Sequence, residues 1–280
     1  MIHSLSITQL VENTAGKPGL LAEHGVSYFI EADGHYLLFD TGQGLALRHN
    51  VERLGVPLER VEAIILSHGH YDHAGGLVDV LDSTGPVDLY LHSNALMPRF
   101  NRDGKEIGTP VNDAGALASV VNNIVYTNSP FELFPGIHVT GEIPRIHTIE
   151  DTGGPFYQDA DRSSPDSLPD DQALFIEMPQ GIVVLLGCGH SGVINSLEYI
   201  RRISGGKPIH AIIGGMHLLR ATNERLVFTG DKLNDLNVQY LAANHCTGLD
   251  AICYFKHRFT QTFHPSPVGT KHHFNEGKYV

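Results

Sequence analysis

Residues 61–76 run Val-Glu-Ala-Ile-Ile-Leu-Ser-His-Gly-His-Tyr-Asp-His-Ala-Gly-Gly. Ala63 to Leu66 is a short, β-branched apolar run, the pattern of a buried strand. Gly75 and Gly76 let the backbone turn tightly and enter a helix. Between strand and turn stand His68, His70, Asp72 and His73. Residues two apart on an extended segment point to one side, so His68 and His70 can share one ion. Asp72 and His73 fall after the turn and can face a second ion beside the first. Imidazole and carboxylate are ligands that Zn²⁺ and similar divalent ions accept, and two adjacent ions can polarise a water between them. Three histidines and an aspartate within six residues at a strand end read as a metal site.

Three further stretches repeat the device of an apolar strand emptying into a histidine-bearing loop. Ile182 to Leu186 runs into Gly187-Cys188-Gly189-His190-Ser191-Gly192 and then an amphipathic helix with Val193, Ile194, Leu197 and Ile200 on one side. Ile209 to Ile213 leads to Gly214-Gly215-Met216-His217, and Asn237 to Ala242 leads to Asn244-His245-Cys246-Thr247-Gly248 and a helix. If these strands lie in neighbouring sheets, the loops open at one edge and converge. Taken alone, the 187–192 turn has the glycine spacing of a dinucleotide-binding loop, but no acidic residue closes a strand about twenty positions on and no second half follows. The turn still brings amides to a helix N-terminus, which favours an anionic substrate group beside Gly189 and Ser191. Cys188 is either a soft metal ligand or a small buried residue, and the second is preferred.

Upstream, residues 2–12 alternate as a strand, and Tyr28-Phe29-Ile30 with Tyr36 to Phe39 form a hairpin about Asp33-Gly34. Phe39-Asp40-Thr41-Gly42 looks like an aspartic-protease loop, and Asp151-Thr152-Gly153 repeats the word. That chemistry needs two equivalent loops, and the polar approach to Asp151 is unlike the first. Residues 44–54 look helical, with Leu45, Leu47, Val51 and Leu54 on one side and Gly55 as the stop. His92, at the end of a strand from Val87, reads as structural, and Tyr71 as packing. Residues 97–123, with Arg99, Arg102 and Lys105, are a polar excursion, and 150–171 an acidic surface loop; both can cover a substrate.

The 280 residues can bury a large core as one domain, 1–280, and 41% apolar content without a membrane-length run suits a soluble protein. A formal charge of −12 repels phosphate backbones, so a small molecule is expected as partner, with no nucleic acid and no membrane. Three cysteines make no disulfide framework, and the first residues lack a signal-peptide pattern, so the cytoplasm is the expected location.

The motif His-x-His-x-Asp-His after such a strand resembles the metallo-β-lactamase superfamily. With Gly-Cys-x-His, Gly-Gly-x-His-Leu and His-Cys-Thr-Gly following in order, the chain resembles its branch related to the dihydropterin–ribofuranosylaminobenzene phosphate synthases, over nearly its whole length from Asp40. The resemblance implies an αββα sandwich: two mixed sheets flanked by helices, with a two-metal site at one sheet edge. It gives Asp40 the role of bracing the metal loop. Many members carry a metal-binding His near Gly141 to Arg145, where this chain offers Glu142 and then His147, so the third ligand of the first ion lies among His190, Cys188 and Glu142. The preferred set is His68, His70 and His190 for one ion and Asp72, His73 and His245 for the other. Zinc is the first candidate, then Mn, Fe or Mg. The expected function is hydrolysis of a small anionic ester, lactone or phosphoester by a bridging hydroxide, with Asp72 orienting it and His217 contacting substrate or transferring a proton. A transferase joining a pterin-like diphosphate to an arylamine ribofuranosyl phosphate is the alternative, and a non-hydrolytic iron redox protein the second.

Overall fold

The structure, a computed structural model, describes residues 1–111 and 113–275; position 112, inside the 97–123 excursion, and the last five residues of the 1–280 span lie outside it. Its long strands are, in chain order, β1 (Ser4–Val11), β2 (Ser27–Ala32), β3 (His35–Phe39), β4 (Ala63–Ile65), β5 (Asp88–Leu91), β6 (Asn123–Tyr126), β7 (Phe131–Phe134), β8 (Ile137–Val139), β9 (Leu174–Met178), β10 (Gly181–Leu186), β11 (Ile209–Gly215), β12 (Tyr240–Asn244) and β13 (Lys271–Asn275). They form two mixed sheets, one in the order β13-β1-β2-β3-β4-β5-β6 and the other β12-β11-β10-β9-β8-β7. Helices α1 (Leu47–Leu54), α2 (Tyr71–Ala74), α3 (Leu77–Thr84), α4 (Ala114–Ala118), α5 (Val193–Ile203), α6 (Asn223–Asp235) and α7 (Leu249–Arg258) complete the chain.

Alternation along the strands sorts residues to two faces. Ile30, Leu37, Ile65, Leu174, Leu185 and Ile213 meet in a core between the sheets. Phe29, Leu38, Ile64 and Leu66 face α1 and α3 on one outer side, while Val184, Ile212, Val193 and Leu197 pack with α5 to α7 on the other. This is the expected αββα sandwich. The Asp33-Gly34 turn has φ of 47° and 93°, the left-handed pair that fits a two-residue hairpin. The helix expected over 44–54 begins only at Leu47, and Leu45 is 76% exposed rather than on the buried face. The cause is local: the Glu23 carboxylate accepts both the Leu45 and Ala46 amides at 2.9 Å, holding that turn off the helix.

Strand β4 is buried and parallel to both neighbours, and β10, β11 and β12 are mutually parallel. The loops after Ile65, Leu186, Gly215 and Asn244 thus all leave carboxyl ends of parallel strands. Among the described residues, no helix is long and apolar enough to cross a membrane.

Candidate metal centre

His68 and His70 lie on the extended segment past β4, with His68 Nε2 2.9 Å from His70 Nδ1. Glycine is required between them, because a Cβ on Gly69 would collide with the Ala95 carbonyl. The single turn of α2 then swings Asp72 and His73 round, leaving the His73 ring 4.2 Å from that of His68. The second sheet supplies His190, whose ring lies 4.9 Å from His68 and 5.0 Å from His70. It also supplies His245, with Nε2 3.3 Å from His73 Nε2 and 3.5 Å from Asp72 Oδ2. The structure therefore gathers His68, His70, Asp72, His73, His190 and His245 together, with the His68 ring nearer to His73 than to His190.

Outer contacts orient these rings, as in metal sites generally. Asp40 Oδ2 holds His73 Nδ1 at 2.7 Å, while the Ser67 amide and hydroxyl each donate to Asp40 at 2.7 Å. His190 Nδ1 donates to the Thr152 carbonyl at 2.8 Å, and His245 Nδ1 to Asn13 Oδ1 at 2.9 Å. Each leaves its Nε2 lone pair facing inward. Among the described residues, His190 Nε2 and His70 Nε2 are buried without a hydrogen-bond partner. A nest of inward-facing imidazole nitrogens is costly to bury without an electrophile, so the donor set fits divalent ions. Asp40, His217 and His245 all have positive φ (59°, 43° and 49°), strain concentrated where side chains are aimed at the site.

Burial, and then the neighbouring imidazoles, hold His68 and His190 far below the usual histidine range; at His70 the second cause is Arg99. Burial also pulls on His73, but the carboxylates of Asp40 and Asp72 outweigh it and raise its pKa to about 9. Burial pushes Asp72 upward, yet His73, His24 and His245 bring it well below the carboxylate range. Burial takes His245 and His217 down to about 4, so both are neutral at pH 7.

His217 lies with its ring 4.3 Å from His190, and its Nδ1 is buried without a partner among the described residues. The substrate role expected of Ser191 fails: Ser191 is buried, its amide bonds Asp171 Oδ2 at 2.7 Å and its hydroxyl the Asp171 carbonyl at 3.4 Å. Nor is the α5 N-terminus beyond Gly189 open to an anion, because the Glu150 carboxylate accepts the Ile194 and Asn195 amides at 2.9 and 2.8 Å. Glu142 is exposed and away from the site, and His147 pairs with Glu198 at 2.9 Å, which leaves neither as a third ligand. His92 is structural, its Nδ1 accepting the Asn94 amide at 3.1 Å. Asp151 pairs with the buried Arg225, so the second Asp-Thr-Gly supports His190 through Thr152 rather than forming a carboxylate pair.

Three features go beyond the preferred ligand sets. His24 Nε2 stands 3.2 Å from Asp72 Oδ2, and no strand-to-loop signal marks it. Cys188, weighed both as a soft metal ligand and as a small buried residue, is buried, with its Sγ 3.1 Å from His73 Nε2. The excursions are also not simply surface: Phe100–Asn101 pairs with Phe156–Tyr157, and Arg99, Asp166 and Asp170 are buried together. With the loops around Arg220 and Leu249 they enclose a cleft of about 640 Å³ over His70, Asp72, His190, His217 and His245.

Residues 21–200 match the family model described as the metallo-beta-lactamase superfamily, and the chain belongs to that superfamily of enzymes. It is 30% identical, over 94% of both chains, to the 7,8-dihydropterin-6-methyl-4-(β-D-ribofuranosyl)-aminobenzene-5′-phosphate synthase of Methanocaldococcus jannaschii. A second protein of that organism, MJ0448, is 32% identical over 87% of this chain and 91% of its own. Among solved structures, Tm1679, described as a metal-dependent hydrolase of the β-lactamase superfamily, superposes with a TM-score of 0.83 at 26% identity, covering 97% of this chain and 100% of that one.

Proposed function

We propose that this enzyme is a metal-dependent transferase that joins a pterin-like diphosphate to an arylamine ribofuranosyl phosphate. The observation that carries this reading is the 30% identity to a synthase of that kind over 94% of both chains. The cleft supports it. Phe156, Ile107, Leu219, Leu249 and Ile252 offer apolar surface for flat rings, and Arg102 and Arg220 stand at its rim for phosphate. Its volume, about 640 Å³, suits a ligand of drug-like size.

On this reading His68, His70 and His190 would hold one divalent ion and Asp72, His73 and His245 the other, zinc being the first candidate. Ions bound there would neutralise the charge of the departing diphosphate. The arylamine nitrogen forms the new C–N bond, the C–O bond to diphosphate breaks with its electron pair leaving on oxygen, and the nitrogen loses a proton. His217, neutral at pH 7 and lining the cleft, would accept that proton.

Hydrolysis is the second reading, favoured by the likeness to Tm1679 and by the His68 ring of one set lying 4.2 Å from the His73 ring of the other, where two ions could share a water. One assay separates them. Zinc-loaded protein is given the dihydropterin diphosphate with and without the arylamine ribofuranosyl phosphate, and diphosphate release is followed. Release that requires the amine supports the transferase; release at the same rate without it, or turnover only of lactones and phosphoesters, overturns it.

A further inference from the structure

His24 lines the cleft beside the cluster, its side chain 54% exposed and its ring 5.0 Å from that of His245. Its backbone is nonetheless fastened to the histidine loop. The Gln43 side-chain amide donates to the His24 carbonyl, and the Val26 amide donates to the Asp72 carbonyl at 3.3 Å. A Cβ on Gly25 would collide with that same Asp72 carbonyl, so the two segments lie as close as backbones can. The chain thereby delivers the ring to Asp72, with Nε2 3.2 Å from Oδ2.

Asn13 decides what that nitrogen can do. The Gly25 amide can only donate, so the atom it meets at 3.2 Å is the Asn13 carbonyl oxygen, Oδ1. The same oxygen accepts from His245 Nδ1 at 2.9 Å, which leaves the His245 Nε2 lone pair for an ion. The other end of the amide, Nδ2, then faces His24 Nδ1 at 3.4 Å and donates to it. A neutral imidazole that accepts at Nδ1 carries its proton on Nε2. One asparagine thus sets opposite tautomers on two neighbouring histidines, a lone pair at His245 Nε2 and an N–H at His24 Nε2.

We propose that His24 is a positioning residue for Asp72, donating its Nε2 proton to Oδ2, and is not itself a metal ligand. The proposal rests on the two-ion reading above and goes beyond it. Asp72 Oδ2 also lies 3.5 Å from His245 Nε2 and 3.8 Å from His73 Nε2, the partners expected to share its ion. A carboxylate oxygen has two lone pairs, so one can serve the His24 N–H and the other the ion. Ligation by His24 is the rival, since donor atoms of His24, Asp72 and His245 lie within 4.8 Å of one another. The tautomer that Asn13 imposes excludes it.

Two measurements decide between them. Nitrogen-15 spectra of the imidazoles in metal-free protein, taken at mildly alkaline pH, identify His24 by the signals missing from His24→Gln. They are expected to show its proton on Nε2; a proton on Nδ1 overturns the assignment. Zinc is then competed against a chelator. His24→Ala removes the donor and should weaken one of the two ions by about 10–100-fold, the effect of losing an outer partner. The urea midpoint of the metal-free variant should match wild type, and a midpoint that falls with the affinity makes His24 merely structural. Gln places a side-chain N–H near the position of Nε2 without being a good zinc ligand, so His24→Gln should bind both ions nearly as wild type does. Binding by His24→Gln as weak as by His24→Ala overturns the donor role in favour of ligation. Binding by His24→Ala as tight as wild type shows that Asp72 needs no such partner. Wild type that takes up no zinc overturns the ion sites themselves, and the role of His24 with them.

Discussion

Asp40 is buried, and its carboxylate meets the Ser67 amide, the Ser67 hydroxyl and His73 Nδ1, each at 2.7 Å. Replacing it with Asn swaps one acceptor oxygen for a donor facing Ser67 or His73. Asp40→Asn should therefore leave the fold intact but weaken the ion expected at His73 by about 10–100-fold, measured by chelator competition. Arg220 poses the opposite case, an exposed residue at the rim of the cleft. Arg220→Ala should raise KM for the phosphorylated substrate roughly tenfold, about 1.4 kcal/mol, with kcat unchanged, because a rim contact binds ground and transition states alike. The bracing role of Asp40 came from the family resemblance, since Phe-Asp-Thr-Gly by itself looks like an aspartic-protease loop. The substrate role expected of Ser191 overlooked what its neighbours already hold. A loop's spacing tells which residues arrive at a strand end, but not which partners 20 to 45 residues away already occupy them; here Glu150 and Asp171 had taken the amides.

The parallel strands β4, β10, β11 and β12 were readable because each is a continuous apolar run ended by glycine or a polar residue. What stayed hidden was β9 and the inner side of the excursions. Leu174–Met178 follows an acidic stretch that looks solvated, yet Asp170 and Asp171 at its end are 0% and 2% exposed. Asp170 explains the contradiction, since it joins two segments far apart in sequence. One of its oxygens accepts the Gly69 amide at 2.8 Å and the other meets Arg99 Nη2 at 2.7 Å, with Asp166 at 3.3 Å from Arg99 Nη1. Both excursions are thereby fastened to the segment that carries His68 and His70. Breaking a buried ion pair from one side strands a charge, so Arg99→Met should cost about 3–5 kcal/mol in urea unfolding. Adding Asp170→Asn should recover part of that loss, because it removes a stranded charge while keeping an acceptor for Gly69. Equal stability of Arg99→Met and wild type would mean the excursions are held by something else.

At the scale of the whole molecule, the sandwich is closed where β1 pairs with β13, and the seam holds a buried polar chain. His272 on β13 is 1% exposed, with Nδ1 2.7 Å from the Tyr240 hydroxyl and Nε2 2.9 Å from Ser266 Oγ. Ser266 donates to Gln9 at 3.0 Å, and Gln9 accepts from Asn244, the residue before His245, at 2.9 Å. Burial, with His264 and His273 adding to it, lowers the His272 pKa to about 3. In the unfolded chain it titrates at its ordinary value of about 6.5. Above that pH neither state carries the proton, and the contribution to stability is complete. Between about 6.5 and 3 the unfolded chain takes up a proton that the folded one refuses, so stability falls as pH falls, by about 1.4 kcal/mol per pH unit and about 5 kcal/mol at most. His272→Gln keeps an acceptor and a donor at this position but does not titrate. Urea midpoints of chelator-treated wild type and His272→Gln should therefore converge with acidification from pH 7 to pH 4, the variant losing less. Parallel curves would show that His272 opens to solvent before the sandwich unfolds, and that the β1–β13 seam is not part of the cooperative unit.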